Sequence, residues 1–213
     1  RYRNLVGSAR AANMNMLRIW GGGRFEGDAF YEACDENGIL LWHDFMFSCA
    51  LYPDDGAFYD SVRAEVVHQL RRLRDHASIA LWCGDNECMV MFTGDAGWPE
   101  ERKSHEAALL RRTGLCRDLV KAYDPARPFW TSSPCAGGRG MCQQTETEGD
   151  VHSWIVWFGN LPSWGYYLFH PRFCSEFGAQ SMPSPEVAAT FCGEEAIDEM
   201  LPELMYHQKH PLG

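Results

Sequence analysis

Two glutamates stand at the ends of apolar, strand-like runs. In SIALWCGDNE (78–87) the run closes on Glu87, and in RFCSEFGAQS (172–181) Glu176 sits inside the run, two residues before a glycine. Glutamate is uncommon within strands and seldom buried without a partner. Two carboxylates facing each other suit glycoside hydrolysis. One, protonated, serves the leaving oxygen, while the other, ionised, serves the anomeric carbon, and a separation of ~5–5.5 Å makes the reaction retaining. The two positions are far apart in the chain, so only a fold can bring them together; a parallel barrel does this when the residues lie three strands apart.

Other residues able to do chemistry also end apolar runs. Asn86 precedes Glu87, and an amide can donate to or accept from a sugar hydroxyl. Arg18-Ile-Trp20 leads into three glycines, Trp42-His43-Asp44 closes a second run, and His152 and Trp154 lie in a third. Flat aromatic rings stack on sugar C–H faces, although they also fill cores. Gly21–Gly23 form no phosphate loop, because neither GxGxxG nor GK[ST] follows. There is no HExxH, no CxxC pair and no Gly-x-Ser-x-Gly element, so the motifs point to neither a catalytic metal nor a serine hydrolase.

These residues need elements to hold them. Six strand-length apolar runs recur: NMNMLRIW (13–20), GILLWHDF (38–45), SIALWC (78–83), PFWTSS (128–133), DVHSWIVW (150–157) and RFCSEF (172–177). Their weak alternation suits strands covered on both faces. Helical patterns lie between them. Residues 28–37 open on Asp28 as the expected N-cap and stop before Gly38. In 57–75, Val62, Val66, Leu70 and Leu73 share a face; in 103–123, Leu109, Thr113, Cys116, Val120 and Tyr123 do, and 184–192 forms a short helix. Residues 134–149 read as a loop. Strand and helix in alternation predict an α/β fold with a parallel sheet and helices outside it, whose C-terminal strand ends converge on one pocket.

Composition bounds the rest. The 213 residues are 46% hydrophobic and 23% charged, with a net charge of −10 and no Lys/Arg block, which argues against nucleic acid or an anionic membrane as a partner. No run reaches the ~20 apolar residues of a membrane span, and RYRNLVGSARAANMN lacks the apolar core of a signal peptide. The nine cysteines, an odd number mostly in apolar context, read as small buried hydrophobes in a reducing compartment. A cytoplasmic location is therefore favoured, with lysosomal and periplasmic ones as alternatives. Cys83/Cys88 and Cys135/Cys142 are close enough in sequence for disulfides, but none is expected.

The stretches WGGGRFEGDAFYEACDENGILLWHDFMFSCALYP, RLRDHASIALWCGDNE, GDVHSWIVW and PRFCSEFGAQSMPS together resemble the catalytic barrel of glycoside hydrolase family 2, most closely its β-mannosidase branch. The resemblance implies a (β/α)8 TIM barrel, here incomplete: residues 1–213 would cover about strands 2–7 of the catalytic domain. It implies retaining, exo-acting hydrolysis of terminal β-mannose from an oligosaccharide or glycan, with no cofactor. By the same resemblance Glu87 is the acid/base, kept protonated by burial and the neighbouring negative charge, and Glu176 is the nucleophile. Asn86 would hold the 2-hydroxyl, Arg18 and His152 would orient Glu176, and Trp20, Trp42, Asp44 and Trp154 would shape the sugar subsite. Two departures stand out. Asp85 replaces an asparagine of the family's Gly-Asn-Asn-Glu, which could raise the Glu87 pKa further or disturb the loop, and Ser153 replaces an aromatic residue. Six strands of eight leave two sheet edges open, so these residues alone are expected to fold poorly or aggregate. The alternatives are a sister β-glycosidase of the same family (galactosidase, glucuronidase or glucosaminidase) and an inactive carbohydrate-binding fragment.

Overall fold

The computed structural model describes residues 1–93, 105–137, 144–179, 182–192 and 202–207. Four of the six apolar runs form one parallel sheet in chain order: β1 (Met16–Ile19), β2 (Leu40–Asp44), β3 (Ile79–Cys83) and β4 (Phe129–Trp130). The pairing runs from Met16 opposite Leu40 to Ile19 opposite His43, then Trp42 opposite Leu81, and Trp82 opposite Phe129. The other two runs pair as a separate parallel ribbon, β5 (Val151–Ser153) and β6 (Cys174–Phe177), with His152 opposite Glu176. Asp150 ties the two sheets together. It accepts from the Cys135 amide (2.8 Å) and the Trp130 indole (2.8 Å) behind β4, and from the Ser175 hydroxyl (2.5 Å) of β6.

The crossovers are helical, as their period dictates. In α1 (Tyr2–Ala11) only Val6 is buried; α2 (Asp28–Asn37) buries Tyr31, Ala33 and Cys34. Gly38 ends α2 at φ 66°, a left-handed conformation that glycine adopts without steric cost. Gly27, not Asp28, occupies the N-cap position; the Asp28 carboxylate instead pairs with Arg72 at 2.5 Å, a stronger partner than a backbone amide. The Asp55 carboxylate caps α3 (Gly56–Leu73) by accepting from Phe58 N at 2.9 Å, and Val62, Val66, Leu70 and Leu73 are buried as their spacing requires. A short α4 (Cys88–Thr93) follows β3 directly, and α5 (Glu106–Tyr123) buries Leu109, Thr113, Cys116 and Val120, together with Arg112. A 3₁₀ turn (Ser163–Leu168), α6 (Pro185–Cys192) and α7 (Pro202–His207) complete the described elements. No described helix is long and apolar enough to cross a membrane.

The core lies between the four-stranded sheet and α1–α3 and α5, around the fully buried Trp82. The Trp82 ring stacks on Phe45 with centroids 5.4 Å apart, and its indole N–H donates to Asp124 at 2.8 Å, so the polar edge of a large apolar residue is satisfied in the interior. Cys34, Cys83, Cys88 and Cys116 are small buried fillers; Cys83 and Cys88 are unbridged, and Cys142 lies outside the described residues.

Two strands end well before their apolar runs do. β4 stops at Trp130 and β5 at Ser153, because the next residues leave the ladder to bond at the site. Ser133 continues only as an isolated bridge to Asn86, and Trp154 turns its indole toward Glu176. The expected loop over 134–149 carries no helix in its described parts; residues 138–143 lie outside them.

Candidate active site

The C-terminal ends of the strands open into a cleft of about 510 Å³ lined by Arg18, Trp20, Cys49, Asn86, Glu87 and Trp154, with Ser175, Glu176 and Phe177 on its β6 side. That volume is within the ordinary range for a small-ligand site. Ligand-capable atoms of Glu87, His152 and Glu176 all lie within 4.8 Å of one another. The two carboxylates therefore approach the spacing of a retaining pair.

Glu176 is held from two sides. Its Oε2 accepts from Arg18 Nη1 at 2.9 Å and its Oε1 from the Trp154 indole at 3.1 Å. Arg18 is itself fixed: Nη2 donates to Asp44 at 2.7 Å and to Asn86 Oδ1 at 2.9 Å. The guanidinium thus ties β1, β2, the loop after β3 and β6 together, each partner using the rigid fork of donors. Asp44 has no exposed surface and also accepts from Gly21 N (3.0 Å) and the Trp42 indole (2.9 Å). A Cβ at Gly21 would run into the carbonyls of Phe47 and Phe45, which is why glycine stands there. Burial pushes the Asp44 carboxyl up, outweighing the Arg18 contact.

Glu87 has φ 58°, a left-handed conformation that is unusual for a residue with a side chain and that other contacts must hold in place. Its N–H donates to Ser133 O at 2.7 Å, and its carbonyl accepts from Met91 N as α4 begins. On its side chain, Oε1 accepts from His152 Nδ1 at 2.8 Å and Oε2 from the Cys49 thiol at 3.2 Å. His152 Nε2 lies 3.3 Å from Arg18 Nη1 and 3.0 Å from Ser133 Oγ, so the ring is held between Glu87 on one edge and Arg18 and Ser133 on the other. Burial pushes the Glu87 carboxyl up, but the hydrogen bond and field of His152, helped by Cys49 and Arg18, outweigh it and hold the group below its ordinary value. The free site thus stabilises Glu87 as a carboxylate, contrary to the expectation that burial and nearby negative charge keep it protonated.

Seven of the nine sequence-predicted residues meet at or directly behind the cleft. Arg18, Trp20, Asn86, Glu87, Trp154 and Glu176 line it, and His152 stands behind the carboxylates with only 2% of its side chain exposed. His152 is closer to Glu87 (2.8 Å) than to Glu176 (3.7 Å), so its main partner is the acid/base candidate and not the expected nucleophile. Trp42 and Asp44 are not in the cleft wall: both are buried, Asp44 beneath Arg18 and Trp42 stacked on Phe173 with centroids 5.4 Å apart. Asp85 points away from the cleft, accepting from Ser132 Oγ (2.5 Å) and Cys88 N (3.1 Å), and the net shift of the Glu87 carboxyl beside it is downward, not upward. Ser153 is buried, opposite Phe177 in the ribbon. Cys49, Ser175 and Phe177 also line the cleft, although their residue types do not mark them as site residues. Ser175 adjoins Glu176 in a run already singled out, whereas Cys49 reaches the cleft through a turn with φ 46° that has no glycine to announce it.

No family model matches the chain. The β-mannosidase of Bos taurus is 41% identical over 203 residues, covering 91% of this chain and 23% of that protein. β-Mannosidase B of Thermothelomyces thermophilus is 37% identical over 198 residues, 86% of this chain and 22% of that protein. The crystal structure of the β-D-mannosidase from Dictyoglomus thermophilum superimposes with a TM-score of 0.79 at 42% identity, over 89% of this chain and 23% of that one. The chain spans about a quarter of the length of these relatives. Matched to β-mannosidases along about nine-tenths of its residues in both sequence and structure, the chain belongs to the β-mannosidase family, as a segment of a glycoside hydrolase family 2-type enzyme.

Proposed function

We propose that the protein is a retaining exo-β-mannosidase and that residues 1–213 form part of its catalytic (β/α)8 barrel, about strands 2–7. The observation that carries this reading is the convergence of Glu87 and Glu176, from the third and sixth strand ends of the chain, on one cleft with Asn86 between Arg18 and the sugar space. The barrel reading is supported by a second, largely apolar cleft of about 550 Å³ between β1 and β6, bordered by Leu17, Leu40, Trp42, Phe173 and Phe177. Two further strands placed there would cover both open edges, which otherwise invite aggregation.

The substrate is an oligosaccharide or glycan ending in β-mannose. Glu87, protonated as substrate enters, gives its proton to the glycosidic oxygen while Glu176 attacks the anomeric carbon from the opposite face. The C–O bond to the aglycone breaks and a glycosyl–Glu176 ester forms. Glu87, now a carboxylate, takes a proton from water; the water oxygen bonds to the anomeric carbon and Glu176 leaves, so that β-mannose departs with its configuration retained. Asn86, fixed through Arg18, holds the 2-hydroxyl; Trp20 and Trp154 flank the ring. This chemistry calls for no cofactor.

Turnover of aryl β-mannoside by the full-length protein is the direct test. Cleavage of a β-galactoside, β-glucuronide or β-glucosaminide in its place would move the assignment to a sister activity. Silence on all of them would make this a carbohydrate-binding barrel without turnover.

The Glu87–His152 bond sets a pH dependence. A general acid works protonated, and the protonated fraction falls as pH rises through its pKa. His152 holds that pKa low in the free enzyme, so kcat/KM should already fall on leaving the acidic range. In His152→Leu the bond is gone and burial remains, which raises the pKa. The alkaline limb of the kcat/KM profile should therefore move to higher pH even as the maximum drops. A limb that stays in place would separate it from Glu87.

A further inference from the structure

Behind the Asn86–Glu87 loop lies a buried charge pair that takes no part in the chemistry above. Asp85 has no exposed surface and Arg112, from α5, is 3% exposed. Arg112 Nη2 lies 3.5 Å from Asp85 Oδ2, while Asp85 Oδ1 accepts from Ser132 Oγ and from Cys88 N at the start of α4. The guanidinium stands over the rings of Phe47 and Tyr52, at 4.5 and 4.7 Å from their centroids, and its Nε has no hydrogen-bond partner. Those rings belong to the segment that grips the loop from the other side. Phe47 O accepts from Asn86 N (2.9 Å), the Tyr52 hydroxyl accepts from Ser48 N (2.8 Å), and Ser48 Oγ accepts from Asn86 Nδ2 (3.2 Å). On the opposite side, Ser133 N donates to Asp85 O (2.9 Å) and Glu87 N donates to Ser133 O (2.7 Å).

One cation therefore organises two clamps. It stacks on the 47–52 segment and faces the carboxylate that pins residues 85–88 to Ser132 and α4. Between the clamps sits Glu87, whose left-handed backbone needs such support. We propose that Asp85 and Arg112 are positioning residues that hold Asn86 and Glu87 in their working geometry from behind. The proposal deepens the assignment of Glu87 as acid/base and rests on it. The pair is interdependent: either charge left alone in this interior draws the loop toward solvent or toward another partner, whereas removing both leaves no charge to solvate.

A structural role alone would lower activity on every substrate alike. A misplaced acid instead shows its loss where the leaving group needs a proton. The experiment measures kcat/KM of the full-length protein on aryl β-mannosides of graded leaving-group acidity, for wild type, Asp85→Asn, Arg112→Lys and Asp85→Asn/Arg112→Met. Asp85→Asn keeps the side-chain shape, and Arg112→Lys keeps the charge while losing the planar stack, which guards against a variant that fails to fold. Each single change should cost about 10²-fold on a phenyl or methylumbelliferyl mannoside, the scale of an ångström's misplacement, and only about threefold on the 2,4-dinitrophenyl mannoside. The double variant should regain most of the loss. Equal losses across the series, or a double variant no better than the singles, would overturn the proposal. If the wild type turns over no aryl glycoside, the catalytic reading fails by itself, and the crystal structure of Asp85→Asn then decides the pair. Glu87 moved off His152 supports positioning, and a retained 2.8 Å contact refutes it.

Discussion

Glu176→Ala in the full-length protein is expected to lower hydrolysis of aryl β-mannosides by roughly 10⁵-fold, the scale lost when a covalent nucleophile is removed. Azide should restore turnover and yield α-mannosyl azide. The expectation comes from how the group is held. Arg18 and Trp154 donate to its two oxygens at 2.9 and 3.1 Å, and a fifth of the side chain remains open to the cleft. A carboxylate fixed in this way loses little freedom on attack, which is the source of much of an oriented nucleophile's advantage. Truncation to alanine leaves a hole between Arg18 and Trp154 that a small anion can fill. Azide there attacks the face from which the carboxylate would have come; with a single displacement the β-substrate gives an α-product. Glu176→Gln, which preserves the shape, should be comparably inactive but poorly rescued, because the hole is still occupied. An alanine variant keeping more than about a hundredth of wild-type activity would remove Glu176 from the nucleophile role.

Much of this arrangement is legible in the sequence because it follows from burial. Val62, Val66, Leu70 and Leu73 recur with helical period and are buried together, so α3 can be read within a residue or two. The polar segment YRNLVGSARA buries only Val6 along α1, which leaves little period to read. The ends of two strands are hard to read for a related reason. Trp154 looks like a strand residue by type, yet it lies past the end of β5 with its indole on Glu176, and Ser133, at the end of the β4 run, keeps only an isolated bridge to Asn86. At the site, an apolar run that ends in a charged or aromatic residue marks the strand ends, and this brings Arg18, Trp20, Asn86, Glu87 and Glu176 to one cleft. What it cannot convey is depth along the strand. Trp42 and Asp44 precede the mouth and end up under Arg18, where Asp44 serves the arginine and not a ligand. Nor can residue type choose a partner for His152, because the difference between 2.8 Å to Glu87 and 3.7 Å to Glu176 arises from the register of a three-residue strand. Asp85 is the sharpest case. Adjacent to Glu87 in sequence, it faces the opposite way, toward an arginine on α5.

Glu87→Ala should separate the two half-reactions. Without the acid, formation of the glycosyl–Glu176 ester slows by about 10³-fold for leaving groups that need a proton, within the span general acid catalysis contributes. For 2,4-dinitrophenyl mannoside the first step needs no proton and stays fast, but the second step has lost its base. The ester therefore accumulates, seen as a burst of released dinitrophenol followed by slow turnover. The neighbouring geometry favours a clean result. His152 and Cys49, which donate to the Glu87 oxygens, lose only that partner, and Arg18, Asn86 and Trp154 still hold Glu176 and the sugar face. Azide then enters the space left by Glu87 and attacks the ester from the face where water would have come, so two displacements return the β-anomer. The same anion thus gives α-mannosyl azide from one variant and β-mannosyl azide from the other. Product anomers that came out exchanged would mean exchanged roles for the two glutamates; an absent burst with Glu87→Ala would mean that the second step is not slowed, placing the base that activates water elsewhere in the cleft.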